Sequence, residues 1–165
     1  MDKKRGSKVK EDEIIEKQIQ GKISNKIEMD EMWHYIQNKK DKCWIWLAIC
    51  KVTKLILGFA TGGRGQKTGK KMFDNISKFT PVDTTYYTDH WEPYTKFIPP
   101  NQHYQGKDET YTIEGYNASF RDDLQRLTRR TRAYSKSQDM LENSLYLYIA
   151  KHNDCKLRLL EAIVG

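Results

Sequence analysis

The chain has 165 residues, which is enough for one domain with a buried core. Aromatic residues make up 12% of it, which excludes a disordered chain although 31% of the residues are charged. The net charge of +7 favours a polyanionic partner. No apolar stretch approaches the ~20 residues of a membrane span, and no apolar segment near the start indicates a secretory signal. We therefore expect a cytoplasmic protein.

The first 25 residues are charged and poor in large apolar side chains. This composition predicts a solvated tail or a single helix that precedes the main domain. Isoleucines near helical spacing favour a helix through Glu11–Ile23, and they are Ile14, Ile15, Ile19 and Ile23.

Three strands joined by short polar turns follow, and they predict an antiparallel meander over Ile27–Ile36, Cys43–Cys50 and Leu55–Ala60. The second run is apolar on both faces, so it belongs at the centre of the sheet. Cys43 and Cys50 lie in that run and read as small core residues. The three cysteines include no Cys-x-x-Cys, so they indicate neither a zinc ribbon nor a disulfide framework.

A glycine-rich basic passage covers residues 61–71. It departs from a phosphate-binding loop because Arg64 stands where that pattern needs its first glycine and Lys71 where it needs Ser or Thr. We interpret it as a flexible turn before a helix, and its four basic residues, with no acid among them, could touch a DNA backbone. Apolar spacing predicts that helix over Thr68–Phe79, and a strand follows at Thr84–Asp89.

The second half of the chain is predominantly helical. A short helix over Trp91–Phe97 and a brief strand at His103–Gln105 precede a helix that begins near Ile113, with Thr112 as its N-cap. A basic run follows, and Ser137 can cap a last long helix. Residues 155–165 are predicted as a C-terminal tail.

The order of these elements predicts an α/β protein with the ribonuclease-H-like fold of the retroviral integrase superfamily. In that plan a three-strand antiparallel meander is followed by a helix that crosses over to parallel strands, with helices on the faces of the sheet. The predicted domain covers residues 26–154.

Three carboxylates occupy positions that this fold would bring together: Asp30 within the first strand, Asp89 at the end of the fourth, and Glu114 at a helix start. Three such groups repel one another unless a cation neutralises them, and two Mg²⁺ ions suit three oxygen ligands and a phosphodiester substrate. Glu28 or Glu31 could replace Asp30 in this scheme. Asp89 also reads as a turn or cap residue, and Glu114 as a residue favoured by the helix dipole.

Several short motifs make the resemblance to a known family specific. The chain is similar to the catalytic half of the insertion-sequence-one family of DDE transposases over about Lys26 to Asp154. The motifs that carry it are Glu28–Trp33, Thr88–Trp91, Glu114, Asn117–Arg121 and Tyr134–Ser137. The 24 residues between Asp89 and Glu114 match the family's short spacing, and Arg121 matches its basic residue two turns after the glutamate.

The resemblance implies metal-dependent strand cleavage and strand transfer during transposition of an insertion sequence. Asp30, Asp89 and Glu114 would be the catalytic residues and would hold two Mg²⁺ ions, for which Mn²⁺ could substitute. The residues expected to bind DNA, at transposon ends and target, are Asn117, Arg121, Arg126, Arg129, Arg130, Arg132 and Lys136. A nuclease on the same fold without strand transfer, and a catalytically inactive DNA-binding or regulatory fragment, are the alternatives.

Complete members of this family carry an N-terminal zinc finger and a helix-turn-helix before the catalytic region. Here 29 residues precede Asp30, and they contain no cysteine. The chain would then be the second of two reading frames, normally joined by frameshifting, or a truncated copy, and we expect a separate or fused N-terminal partner with those modules. The resemblance also implies a homo-oligomer on DNA, associated with the nucleoid and without contact to a membrane.

Overall fold

The computed structural model describes residues 12–124 and 135–164, which form one mixed sheet with helices on both faces. The five strands are β1 (Lys26–Tyr35), β2 (Lys42–Cys50), β3 (Ile56–Gly62), β4 (Thr85–Thr88) and β5 (His103–Gln105). The helices are α1 (12–19), α2 (Gln66–Ile76), α3 (Tyr111–Asp123) and α4 (Gln138–Val164). Short 3₁₀ turns cover Glu92–Lys96, Pro100–Gln102 and Lys107–Glu109.

The sheet has the strand order β3-β2-β1-β4-β5. The first three strands pair antiparallel, and β4 and β5 add in parallel beyond β1. The meander and the parallel fourth strand are therefore confirmed. The middle strand is β1 rather than β2, which lies inside the sheet between β1 and β3. In β2 every residue from Ile45 to Cys50 is buried, because helices cover both faces of this strand.

Helix α2 lies on one face of the sheet, and α3 and α4 lie on the other. α2 approaches closely because Gly69 has no side chain: a Cβ there would lie 2.7 Å from Trp46 and 2.8 Å from Phe97. Trp46 also packs edge-on against the fully buried Tyr94, with ring centroids 5.1 Å apart. On the other face α4 runs antiparallel to β3, since Gln138 bonds to Thr61 and Asn153 bonds to Ile56.

The segment before β1 is more than a solvated extension. Ile15 and Ile19 of α1 are buried in the core, and the Gln18 amide donates to the carbonyl oxygen of Ala150 at 3.1 Å. At the other end, the residues predicted as a tail continue α4 as far as Val164.

The start of α3 differs from the sequence expectation. The helix begins at Tyr111, so Thr110 takes the cap position, without a side-chain capping bond, and Thr112 is buried within the first turn. The predicted cap of α4 is confirmed, because the Ser137 hydroxyl accepts a bond from the Met140 amide at 3.2 Å. Cys43 and Cys50 are buried, as predicted for core residues.

Candidate active site

The parallel pairing of β1 and β4 aligns the first two predicted acids. Glu28 lies opposite Tyr87 in this pair, and continuing the register by two residues places Asp30 level with Asp89. Asp30 is partly buried within β1, and Asp89 follows the last residue of β4. The Asp89 carboxylate accepts the backbone N–H of Trp91 at 2.9 Å, which fixes the turn that carries it. Two carboxylates from adjacent strands therefore meet at one end of the sheet.

Glu114 lies in the first turn of α3, exposed to solvent. Its helix is tied to the sheet by Glu28, a fully buried residue whose Oε2 accepts the Ile113 amide at 2.8 Å. A carboxylate at this position satisfies a first-turn N–H group and interacts favourably with the helix dipole. Because Glu28 and Asp30 point to the same face of β1, this bond sets α3 beside Asp30.

The electrostatics of Asp30 reflect this concentration of acids. Burial, above all, raises the pKa of Asp30 from its ordinary value of 3.8 to about 7. Repulsion from Glu31, Asp89 and Glu114 adds to that effect. The charged form of Asp30 is therefore disfavoured, which is the condition that a bound cation would relieve.

The structure distinguishes Asp30 from the two neighbouring glutamates that the sequence left as alternatives. The Glu28 carboxylate accepts a hydrogen bond from the Ile113 amide in the first turn of α3. Glu31 points to the opposite face of β1, where its Oε2 accepts the Tyr94 hydroxyl at 2.8 Å and its Oε1 accepts the Arg64 guanidinium at 3.0 Å. Both glutamates thus hold structural contacts, whereas Asp30 faces Asp89 and α3.

The residues predicted to bind DNA fall into three groups. Asn117 is 4% exposed and its amide donates to Oδ2 of Asp30 at 2.6 Å, so the structure shows this side chain bonded to Asp30, and its contact with DNA stays a prediction. Arg121 is partly buried on α3, and Lys136 is exposed just before α4. Four of the predicted residues lie outside the described part of the chain: Arg126, Arg129, Arg130 and Arg132.

Residues 24–154 match the family model described as IS1 transposase. The chain belongs to the IS1 transposase family. It is 30% identical over 126 residues to the insertion element iso-IS1n protein InsB of Shigella dysenteriae, an alignment that covers 76% of this chain and 94% of that protein. It is also 30% identical over 122 residues to the insertion element IS1 4 protein InsB of Escherichia coli strain K12, covering 74% of this chain and 72% of that protein.

The family match spans the whole sheet and the three acids. β1 to β5, α2 and α3 all fall within the matched residues, as does the first part of α4. Within residues 12–124 and 135–164, no helix is long and apolar enough to span a membrane.

The acids fit a divalent cation in chemistry and charge, because carboxylate oxygens are the ligands that Mg²⁺ prefers. Asp30 interacts electrostatically with both Asp89 and Glu114, which shows that the three charges share one region. In the described ranges, no three His, Cys, Asp or Glu side chains are grouped closely enough to hold a metal ion as they stand.

Sequence reasoning missed two contacts that shape this region. Glu28 was considered only as a replacement for Asp30, although its place two residues earlier put it on the same strand face. Arg64 was considered only as part of a basic turn, yet it bonds to Glu31 and its guanidinium lies between the rings of Trp44 and Trp91. No local sequence pattern indicates that Glu31, Trp44, Arg64 and Trp91 contact one another, because they lie in four separate parts of the chain.

Proposed function

We propose that this chain is the catalytic domain of a DDE transposase that cleaves DNA strands at the ends of an insertion sequence and transfers them to target DNA. The observation that carries the proposal is the register of the β1–β4 pair, which sets Asp30 level with Asp89. This alignment requires that β4 runs parallel to β1. Membership of the IS1 transposase family indicates the class of reaction.

The strand arrangement supports a ribonuclease-H-like fold of the retroviral integrase superfamily. The antiparallel β3-β2-β1 meander, the crossover through α2 and the parallel β4 and β5 follow the plan expected for that fold. In this plan the acids come from two neighbouring parallel strands and from the start of one helix. The acids of this chain at such positions are Asp30, Asp89 and Glu114.

We propose that Asp30, Asp89 and Glu114 hold two Mg²⁺ ions, for which Mn²⁺ could substitute. When bound, such ions supply Lewis-acid activation of a water or a 3′-hydroxyl and neutralise charge on the phosphodiester. The raised pKa of Asp30 is consistent with a site that lacks positive charge of its own.

The chain's own residues position these acids. Asn117 fixes the orientation of Asp30 through its amide, and Trp91 fixes Asp89 through its backbone N–H. Glu28 holds the first turn of α3, and thereby the backbone that bears Glu114. Such supporting bonds matter because catalysis requires the reacting groups to be held close to their productive geometry.

DNA would bind through basic residues of the second half of the chain. Arg121 and Lys136 are proposed to neutralise DNA phosphates, and the sequence adds Arg126, Arg129, Arg130 and Arg132, which lie outside the described residues, to the same proposal. The net charge of +7 supports a polyanionic partner. We further propose action as a homo-oligomer on DNA in the nucleoid, with end recognition supplied by a separate or fused zinc-finger and helix-turn-helix protein.

The proposal is tested by incubating the wild-type chain, with any N-terminal partner it requires, with a labelled duplex carrying the element's end and a plasmid target. We expect Mg²⁺-dependent nicking at the end and a joined product of end and target. Asp89→Asn should abolish both products while its circular dichroism spectrum stays that of the wild type. Glu92→Gln, an exposed acid three residues away, is the matched control and should retain both products.

The products also separate the alternatives. Nicked DNA without joined DNA would identify a nuclease on this fold rather than a transposase. DNA binding without either product would identify a regulatory fragment. Unchanged activity of Asp89→Asn would overturn the assignment of the site.

A further inference from the structure

The guanidinium of Arg64 is held on three sides, on the face of β1 opposite Asp30 and against Trp91, which lies two residues after Asp89. Its Cζ lies 4.5 Å from the centroid of the Trp44 ring and 4.0 Å from that of Trp91. Its Nε and Nη2 both donate to Oε1 of Glu31, at 3.1 and 3.0 Å. The Glu31 side chain is 2% exposed, whereas that of Arg64 is 42% exposed. A buried anchor and two aromatic faces therefore hold a cation that still reaches the solvent.

The two bonds to Glu31 use only part of the hydrogen-bonding capacity of Arg64, whose side chain is 42% exposed. A guanidinium has five N–H donors, and the Nε and Nη2 side of this one faces Glu31. The opposite end, formed by Nη1 and the second Nη2 hydrogen, has the fork geometry that matches two oxygens of a phosphate. A planar cation with one edge anchored and one edge exposed is suited to bind an anion without further ordering.

This arrangement is connected to Asp89. The indole N–H of Trp91 donates to the carbonyl oxygen of Arg64 at 3.3 Å, and the backbone N–H of the same tryptophan donates to Asp89 at 2.9 Å. Since the Trp91 ring also contacts the guanidinium, this one residue contacts both Arg64 and the Asp89 carboxylate. The neighbouring Gly63 and Gly65 are exposed and bear no side chain that would keep a strand of DNA away.

We infer that Arg64 is a pre-positioned phosphate-binding residue that contacts the backbone of the bound DNA on the Asp89 side of the site. The inference rests on the proposed function, since it names a contact between that same site and its DNA. Trp44, Trp91 and Glu31 restrain the side chain before DNA arrives, which lowers the entropy lost on binding. The contacts with two indole rings and the two bonds to one carboxylate suit arginine better than lysine.

The test is the salt dependence of DNA binding, measured by fluorescence anisotropy with a labelled 30-base-pair duplex in EDTA, where strand cleavage cannot occur. Each phosphate contact contributes about 0.9 to the slope of log K against log salt. Arg64→Gln should lower that slope by about 0.9 and weaken binding roughly tenfold at moderate salt. Arg64→Lys, which keeps the charge, should retain most of the slope.

Arg158→Gln is the matched control, because it removes an equal charge at the opposite end of β3. Arg158 is 77% exposed on α4, beyond the Asn153 bond to Ile56, and pairs only with Asp154 among the ion pairs described. Its substitution should leave the slope unchanged. An equal effect of both glutamine variants would overturn the inference, since bulk charge would then explain the binding. So would an unchanged slope in a folded Arg64→Gln protein.

A second measurement uses the wild-type chain, so its result does not depend on how a variant folds. In the ¹⁵N-edited NMR spectrum of the wild-type chain, the Arg64 Nε–H signal should be visible without DNA and should shift when the duplex is added. An Arg64 signal that DNA leaves unmoved would overturn the inference. If the wild-type chain carries out strand transfer but Arg64→Gln does not change DNA binding, only the inference about Arg64 fails. An Arg64 contact without cleavage or joining is a failure of the proposed chemistry alone.

Discussion

The amide of Asn117 on α3 donates to the carboxylate of Asp30 on β1 at 2.6 Å, so one bond joins the helix and the strand that carry two of the proposed catalytic acids. Asn117 is buried, and its Oδ1 has no hydrogen-bond partner within the described residues. The side chain therefore serves Asp30 rather than the surface.

Replacing Asn117 should impair chemistry without weakening DNA binding. Asn117→Ala leaves Asp30 free to turn, and loss of such a supporting bond typically costs about 10- to 100-fold in activity. The measurement is the rate of strand cleavage beside the salt slope of DNA binding. Ser119→Ala, exposed on the same helix, is the control and should match the wild type. A reduced salt slope in Asn117→Ala would instead support the DNA contact first expected from the sequence.

Asp30 should make the metal-free domain less stable as the pH rises. Its pKa in the folded state, about 7, exceeds the ordinary 3.8, so the folded protein binds the proton more tightly than the unfolded chain. The stability conferred by that proton is fully present below the ordinary pKa and is lost as the pH rises through 7.

Asp30→Asn removes this titration, so it should raise the free energy of unfolding at pH 8 by roughly 1–3 kcal/mol and by much less at pH 5. Urea unfolding in EDTA at the two pH values checks this. The same variant should be inactive in strand cleavage. An equal gain in stability at both pH values would show that Asp30 is not the titrating group.

The bond between Glu28 and α3 should contribute measurably to stability. Glu28→Ala removes the acceptor of the buried Ile113 amide, and an unsatisfied buried donor costs about 1–3 kcal/mol. Glu28→Gln keeps an acceptor oxygen and should cost less. Urea unfolding of both variants tests whether Glu28→Ala loses more free energy of unfolding than Glu28→Gln. The control is Glu109→Ala, because loss of this partly exposed partner of Lys51 should lower the free energy of unfolding by about 1 kcal/mol or less.

Two glycines in helices should respond in opposite directions to alanine. Gly69→Ala places a Cβ against the rings of Trp46 and Phe97 and should destabilise the domain by about 1–3 kcal/mol. Gly115→Ala meets nothing within 4 Å and should stabilise α3 by up to ~1 kcal/mol through helix propensity. Thermal unfolding of both proteins checks the contrast. A stabilising Gly69→Ala would contradict the close packing of α2 on the sheet.

The strands and the acids could be read from the sequence because their signals are local. Short turns and apolar runs located β1 to β3, and a carboxylate after a strand or at a helix start is visible without a structure. The roles of Glu28 and Asn117 were not visible, since each depends on the distance between β1 and α3, which lie far apart in the chain. The sequence alone chose Asp30 but left Glu28 or Glu31 as possible replacements, because the side-chain partners of the three acids, rather than their spacing, separate them.

The central claim is that Asp89 is a ligand of the divalent ions used in strand cleavage. The most direct test is the cleavage rate of a folded Asp89→Cys variant in Mg²⁺ and in Mn²⁺. A thiolate is a softer ligand that suits Mn²⁺ better than Mg²⁺. We predict that Asp89→Cys is inactive in Mg²⁺ and regains strand cleavage in Mn²⁺. Cleavage by Asp89→Cys in Mg²⁺ at the wild-type rate would contradict the account.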